Sequence, residues 1–321
     1  MTAERDPELA RAALVGLAAY EQAARPPPIS PRPEVARIGP ARLRDHGGTG
    51  PAAILVPSLI NPPYILDLDA EVSLADAIVR MNRQVLLLDW GCANGRADLS
   101  VSGHVEQLLL PMLREVGEPA ALIGYCLGGT MAIAAANLHP VERLATLAAP
   151  WNFARYPDSS TKALRDMWRH SEPAAKALGA LPMEVLQAAF WSLDPERTVR
   201  KFAEFGRLDP DSAEARRFIE LEEWANEGEA LPYPAARELV EELFGHDLPG
   251  SSAWHVDGRL MSGEFGVPAL HVAAERDLIA PPQTAATGNI VAIPSGHVGM
   301  IVGSSRHQLH EQLKAFLAPC R

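Results

Sequence analysis

The chain has 321 residues, enough for one large α/β domain or for a core domain carrying an insertion. Hydrophobic residues make up 47% and charged residues 21%, an ordinary globular balance, and the net charge of −11 argues against nucleic acid as the main partner, because phosphate binding needs a basic face. The three cysteines, Cys92, Cys126 and Cys320, have neither the even count nor the paired spacing of a disulfide framework or a zinc site. With no secretory leader pattern and no apolar run of membrane-spanning length, a reduced, cytoplasmic setting is expected.

Residues 7–24 carry a helical stripe of Leu9, Ala13, Leu17 and Tyr20, expected to dock on the core. The proline-rich stretch 25–33 reads as an extended linker. From residue 51 short apolar runs alternate with helical segments. Strands are expected at 52–56, 84–88, 120–123 and 144–148, and helices at 71–83, 101–116 and 130–138. Such alternation implies a mostly parallel sheet covered by helices on both faces. Residues 151–262 break the pattern: they read as helical, without a clear strand pair, and hold 13 of the chain's 19 aromatic residues. An inserted helical cap is the expectation. Strands resume at 267–274 and 289–293, and a helix closes the chain at 305–318. The expected organisation is therefore 1–33 as helix and linker, 34–150 and 263–321 as one α/β core, and 151–262 as the cap.

Gly124-Tyr125-Cys126-Leu127-Gly128 lies between an apolar strand and a small-residue helix. It fits the G-x-S-x-G nucleophile elbow of α/β-hydrolases, with cysteine in the serine position. The helix that follows would aim its N-terminus at Cys126 and favour negative charge on the sulfur. The Leu127 amide would face an oxyanion. That fold orders its triad as nucleophile, acid, histidine. Asp277 follows the strand ending at Ala274 and His297 follows the strand ending at Ile293, so both are expected on the rim that carries the elbow. Glu275 and Asp89 compete with Asp277 as the acid. Cys92 has no turn signature and is read as structural or incidental. A second oxyanion donor is expected from Ser58-Leu59-Ile60-Asn61, with Leu59 and Ile60 equally eligible. No metal site, phosphate loop or dinucleotide fingerprint is apparent.

Several blocks resemble the polyhydroxyalkanoate synthases, especially the short type that works with a partner subunit. They are Pro57-Ser58-Leu59-Ile60-Asn61, Tyr64-Ile65-Leu66-Asp67-Leu68, Leu88-Asp89-Trp90-Gly91, the elbow through Thr130, the run Ala274–Pro281, and Ser295-Gly296-His297-Val298-Gly299. The Tyr-Ile-Leu-Asp-Leu block has no catalytic logic of its own, which makes it the most family-specific feature. The resemblance implies an α/β-hydrolase fold and no cofactor, with a CoA thioester as substrate. Cys126 would take a 3-hydroxyacyl group and pass it to a hydroxyl, with His297 as base and Asp277 behind it. A partner subunit or a homodimer is implied as well. A cysteine hydrolase acting on thioesters, esters or polyester would use the same triad.

Overall fold

The computed structural model describes residues 6–27 and 30–318; Cys320 lies outside the described residues. Eight strands form one sheet: β1 (Glu34–Ile38), β2 (Ala41–Asp45), β3 (Ala52–Val56), β4 (Gln84–Asp89), β5 (Ala121–Tyr125), β6 (Arg143–Leu147), β7 (Ala269–Ala274) and β8 (Ile290–Ile293). Their spatial order is β1-β2-β4-β3-β5-β6-β7-β8. Every neighbouring pair from β4 across to β8 is parallel, and β2 is antiparallel to both of its neighbours. The central strands β5 and β6 are buried at every position; β5 (Ala121–Tyr125) has no charged residue, while β6 also buries Arg143 and Thr146.

The β1–β2 hairpin is absent from the sequence expectation. Its residues alternate apolar with Glu and Arg, and its Gly39-Pro40 turn uses Gly39 at φ +55°. Ala41 and Leu43 face the core, Arg44 pairs with Asp89 of β4 at 3.0 Å, and on the edge strand β1 Arg37 pairs with Glu34 at 2.7 Å. Charge on an exposed edge strand discourages further strand addition, and the same charge hides the strand from a hydrophobicity reading. Residues 151–262 also contain two short antiparallel pairings that were not expected, Ala180–Leu181 with Leu231–Pro232 and His255–Val256 with Arg259–Leu260. Two residues per strand are too few to leave an alternation in the sequence.

The chain divides into two compact units. The larger comprises 31–183 and 229–321 and contains the sheet. Helix Asp158–Leu178 belongs to it, with Trp168 stacked on Tyr233 and donating to Glu241 at 2.8 Å. The smaller comprises 1–30 and 184–228 and has its own core of Tyr20, Phe205, Ala215 and Ile219, joined by Leu17, Phe202 and Phe218. Helix Pro7–Gln22 packs there, against helix Pro195–Phe205, and not on the α/β core as expected. The reason is steric fit. A Cβ at Gly16 would lie 1.8 Å from the Phe202 carbonyl, so glycine lets the two backbones touch, while Tyr20 meets Phe202, Phe205 and Phe218 edge-on.

The Tyr64–Leu68 block has a structural role. Ile65 and Leu66 are buried, and Asp67 accepts from Ser73 Oγ at 2.6 Å while pairing with His46 at 2.9 Å and Arg32 at 3.1 Å. Ser73 in turn caps helix Leu74–Val79 by accepting from the Asp76 amide. Asp67 therefore anchors the far end of the long loop that leaves β3.

Candidate active site

Cys126 follows β5 directly and precedes helix Leu127–Leu138, which starts three residues before the expected Thr130. Two successive glycines are poor helix formers. They are tolerated because the first turn of this helix lies directly on neighbouring backbone. A Cβ at Gly128 would come within 2.1 Å of the Val56 carbonyl, one at Gly124 within 2.5 Å of Gly129 Cα, and one at Gly129 within 2.3 Å of Ala149 Cβ. Gly128→Ala is expected to destabilise the fold by about 3 kcal/mol or more, because the opposing atoms are main chain and cannot rotate away. A urea midpoint equal to that of wild type would contradict this packing.

Cys126 itself adopts φ 56°, ψ −130°, a conformation strained for any residue with a Cβ. Its amide donates to Leu147 O at 3.0 Å, which ties the elbow to the end of β6. Cys126 is partly exposed as a residue, and its thiol is free. Leu127 opens the helix, so its amide has no intrahelical acceptor.

Asp277 and His297 follow β7 and β8 and meet. His297 Nδ1 donates to Asp277 Oδ2 at 2.7 Å, and both side chains are buried. Asp277 Oδ1 accepts from the Ile279 and Ala280 amides at 2.8 and 2.9 Å, which fixes the carboxylate against rotation. The charge of Cys126 acts on the same imidazole. Burial by itself would lower the basicity of His297. Negative charge at Cys126 and at Asp277 overrides it and pushes His297 up to about 10. Two of the expected side chains, Asp277 and His297, are thus in direct contact, and the charge of the third, Cys126, acts on the same imidazole. The competing acids lie elsewhere: Glu275 is exposed, and Asp89 pairs with Arg44 and accepts from the Gly91 amide at 3.0 Å. Leu59 and Ile60 are buried in the loop after β3, whose start lies against Gly128.

Two tyrosines escaped the sequence reading. Tyr125 lies tilted on His297 with ring centroids 5.1 Å apart, and its hydroxyl donates to the His297 carbonyl at 3.3 Å. Tyr156 donates to the Ile279 carbonyl at 2.8 Å, in the turn that holds Asp277. Burial, reinforced by the charges of Cys126 and Asp277, keeps both phenols far above their usual range, so they remain protonated donors. Tyr125 had a signal in its place beside the nucleophile; Tyr156 had none. Among the described residues no cluster could hold a metal ion, and no helix is long and apolar enough to cross a membrane.

No family model matches the chain. The poly(3-hydroxyalkanoate) polymerase subunit PhaC of Haloferax mediterranei is 26% identical over 279 residues, covering 79% of this chain and 56% of that protein. The subunit of the same name from Synechocystis is 25% identical over 274 residues, covering 78% of this chain and 72% of its own length. The chain thus spans little more than half of the Haloferax relative. A hydrolase from Pseudomonas aeruginosa PA01 superposes with a TM-score of 0.56 at 15% identity, covering 87% of this chain and 94% of the hydrolase, a likeness of fold. The chain has an α/β-hydrolase fold and is similar in sequence to PhaC polymerase subunits over about four fifths of its length.

Proposed function

We propose that the protein is an acyltransferase that moves 3-hydroxyacyl groups from CoA thioesters through an acyl-enzyme on Cys126 to a hydroxyl acceptor. The observation that supports this most is the buried His297–Asp277 hydrogen bond, with the charge of a free thiol at a strained elbow acting on the same imidazole. In the first half-reaction the Cys126 thiolate attacks the thioester carbonyl. The oxyanion forms against the Leu127 amide and a donor from the Leu59–Ile60 loop. The tetrahedral centre collapses with release of CoA, which takes its proton from the His297 imidazolium. In the second half-reaction His297 takes the proton of the acceptor hydroxyl, the oxygen attacks the thioester, and Cys126 leaves as thiolate.

Exchange between two thioesters is nearly isoenergetic, whereas transfer to an oxygen runs downhill, so a cysteine suits this substrate class. No cofactor is required by this chemistry, and a free catalytic thiol fits a reduced, cytoplasmic setting. The relatives are named as subunits, which supports a partner subunit or a homodimer for this chain. A transferase must also keep water from the acyl-enzyme. Residues 151–262 are proposed as the lid that does so, on the strength of their aromatic content.

Incubation with 3-hydroxybutyryl-CoA separates transfer from hydrolysis. Oligomer is the expected product; free 3-hydroxybutyrate as the sole product would assign the same triad to a hydrolase. Truncation within residues 151–262 is expected to raise the share of free acid, and an unchanged share would remove the lid role.

A further inference from the structure

Three carbonyls of the loop after β3 are occupied from outside the loop. Trp90 Nε1 donates to Pro57 O at 3.1 Å, Arg96 Nη2 to Leu59 O at 3.3 Å, and the Glu229 amide to Ile60 O at 3.2 Å. A trans peptide points its C=O and N–H in opposite directions. Holding the Leu59 carbonyl therefore fixes the direction of the Ile60 amide, which must point away from Arg96. The start of the same loop rests on the elbow, where the Val56 and Pro57 carbonyls leave no room for a side chain at Gly128.

Arg96 is an unusual residue to find in this place. It is 4% exposed, deeper than its ionic partner Glu229, which lies 3.8 Å away and is half in water. A buried guanidinium is retained only where its donors are met. Here they end on main chain and on one imidazole: Nε on Gly91 O at 3.4 Å, Nη2 on Leu59 O, and Nη1 on His104 Nε2 at 3.3 Å. His104 Nδ1 lies 2.6 Å from the Ser100 carbonyl, so the ring proton sits there and Nε2 is left as an acceptor. Trp90 meets the His104 ring edge-on at 5.7 Å, and Glu229 also accepts from the Ala93 amide. The Asp89-Trp90-Gly91 block thus supplies one carbonyl ligand for Arg96 and one indole donor for the loop.

We infer that Arg96 is a positioning residue: through the Leu59 carbonyl it aims the Ile60 amide as the second oxyanion donor. This rests on the acyl-enzyme reading above, and it chooses Ile60 over Leu59.

The test compares two reactions of the same sulfur in the full chain, with Cys92 and Cys320 replaced by serine. Acylation of Cys126 by p-nitrophenyl butyrate passes through an oxyanion; alkylation by iodoacetamide does not. For Arg96→Met the ratio of acylation to alkylation rate is expected to fall about 100-fold, the size of effect seen when one oxyanion donor is lost. Arg96→Lys, which can reach fewer of the acceptors, should fall in between, and it carries the test if the methionine variant does not fold. A ratio within about threefold of the parent in the folded variants would overturn the proposal, as would parallel loss of both reactions, which would mark Arg96 as a support of the elbow in general. If Cys126→Ala acylates as fast as the parent, the acyl-enzyme reading itself fails, whatever Arg96 does.

Discussion

Replacing Cys126 by alanine is expected to remove CoA release from 3-hydroxybutyryl-CoA by about four to six orders of magnitude, the scale on which loss of a nucleophile acts in enzymes of this kind. The substitution is well suited to the question. Alanine keeps a Cβ, so the strain of φ 56° is neither relieved nor increased. The Cys126 amide, which bonds Leu147 O, is untouched. Urea denaturation should therefore show stability close to that of wild type, and the loss can be assigned to chemistry. CoA release at the wild-type rate in this variant would sink the acyl-enzyme mechanism and leave Cys126 as a strained but idle residue.

Asp277→Asn is expected to lower turnover by about two to four orders of magnitude while the fold persists. The asparagine oxygen can still accept from the Ile279 and Ala280 amides, as Asp277 Oδ1 does. Its amide would then confront His297 Nδ1 with donor against donor. The ring escapes by moving its proton to Nε2, and that tautomer cannot accept a proton from Cys126. The pH dependence follows with a definite sign. His297 is raised to about 10, so activity that depends on its imidazolium persists below that value and declines above it. Removing the carboxylate charge moves this alkaline limb to lower pH. Stability obeys the same linkage. A histidine raised in the folded state contributes stability that is fully present below its unfolded value of about 6.5. That contribution is lost as pH rises toward 10. Urea midpoints measured between pH 6 and 10.5 should fall more steeply for wild type than for Asp277→Asn. Parallel curves would show that Asp277 does not hold the proton on His297.

The parts of this fold that could be read from sequence are those where burial writes itself into local composition. β5 is buried along its whole length and announces itself as an apolar run, and β6 does so apart from Arg143 and Thr146. The elbow is legible because steric exclusion at Gly124 and Gly128 leaves only one residue type. Asp277 and His297 could be found because parallel strands deliver their C-terminal ends to one rim. What stayed hidden depends on partners distant in sequence. Glu229 reaches Ala93 across 136 residues, Tyr156 reaches Ile279 across 123, and neither contact leaves a local trace. The β1–β2 hairpin was hidden differently, by charges on its edge strand, Glu34 and Arg37, that discourage strand addition and mask its alternation. The docking place of helix Pro7–Gln22 depended on a single glycine, Gly16, whose counterpart lies near residue 202.

That last arrangement bears on how the chain acquires its structure during synthesis. The helix at 7–22 leaves the ribosome long before its partners, because the helices that cover its apolar stripe end at Asn226. About 200 residues must be made before the smaller unit can close, and at elongation rates of roughly 5–20 residues per second that is a delay of about 10–40 seconds. Over that interval β1 to β6, which lie between the two segments, are already available to pair. The smaller unit is thus a late-closing element of high contact order, and its nascent helix is an exposed amphipathic segment, open to chaperones, until the sequence near Asn226 arrives.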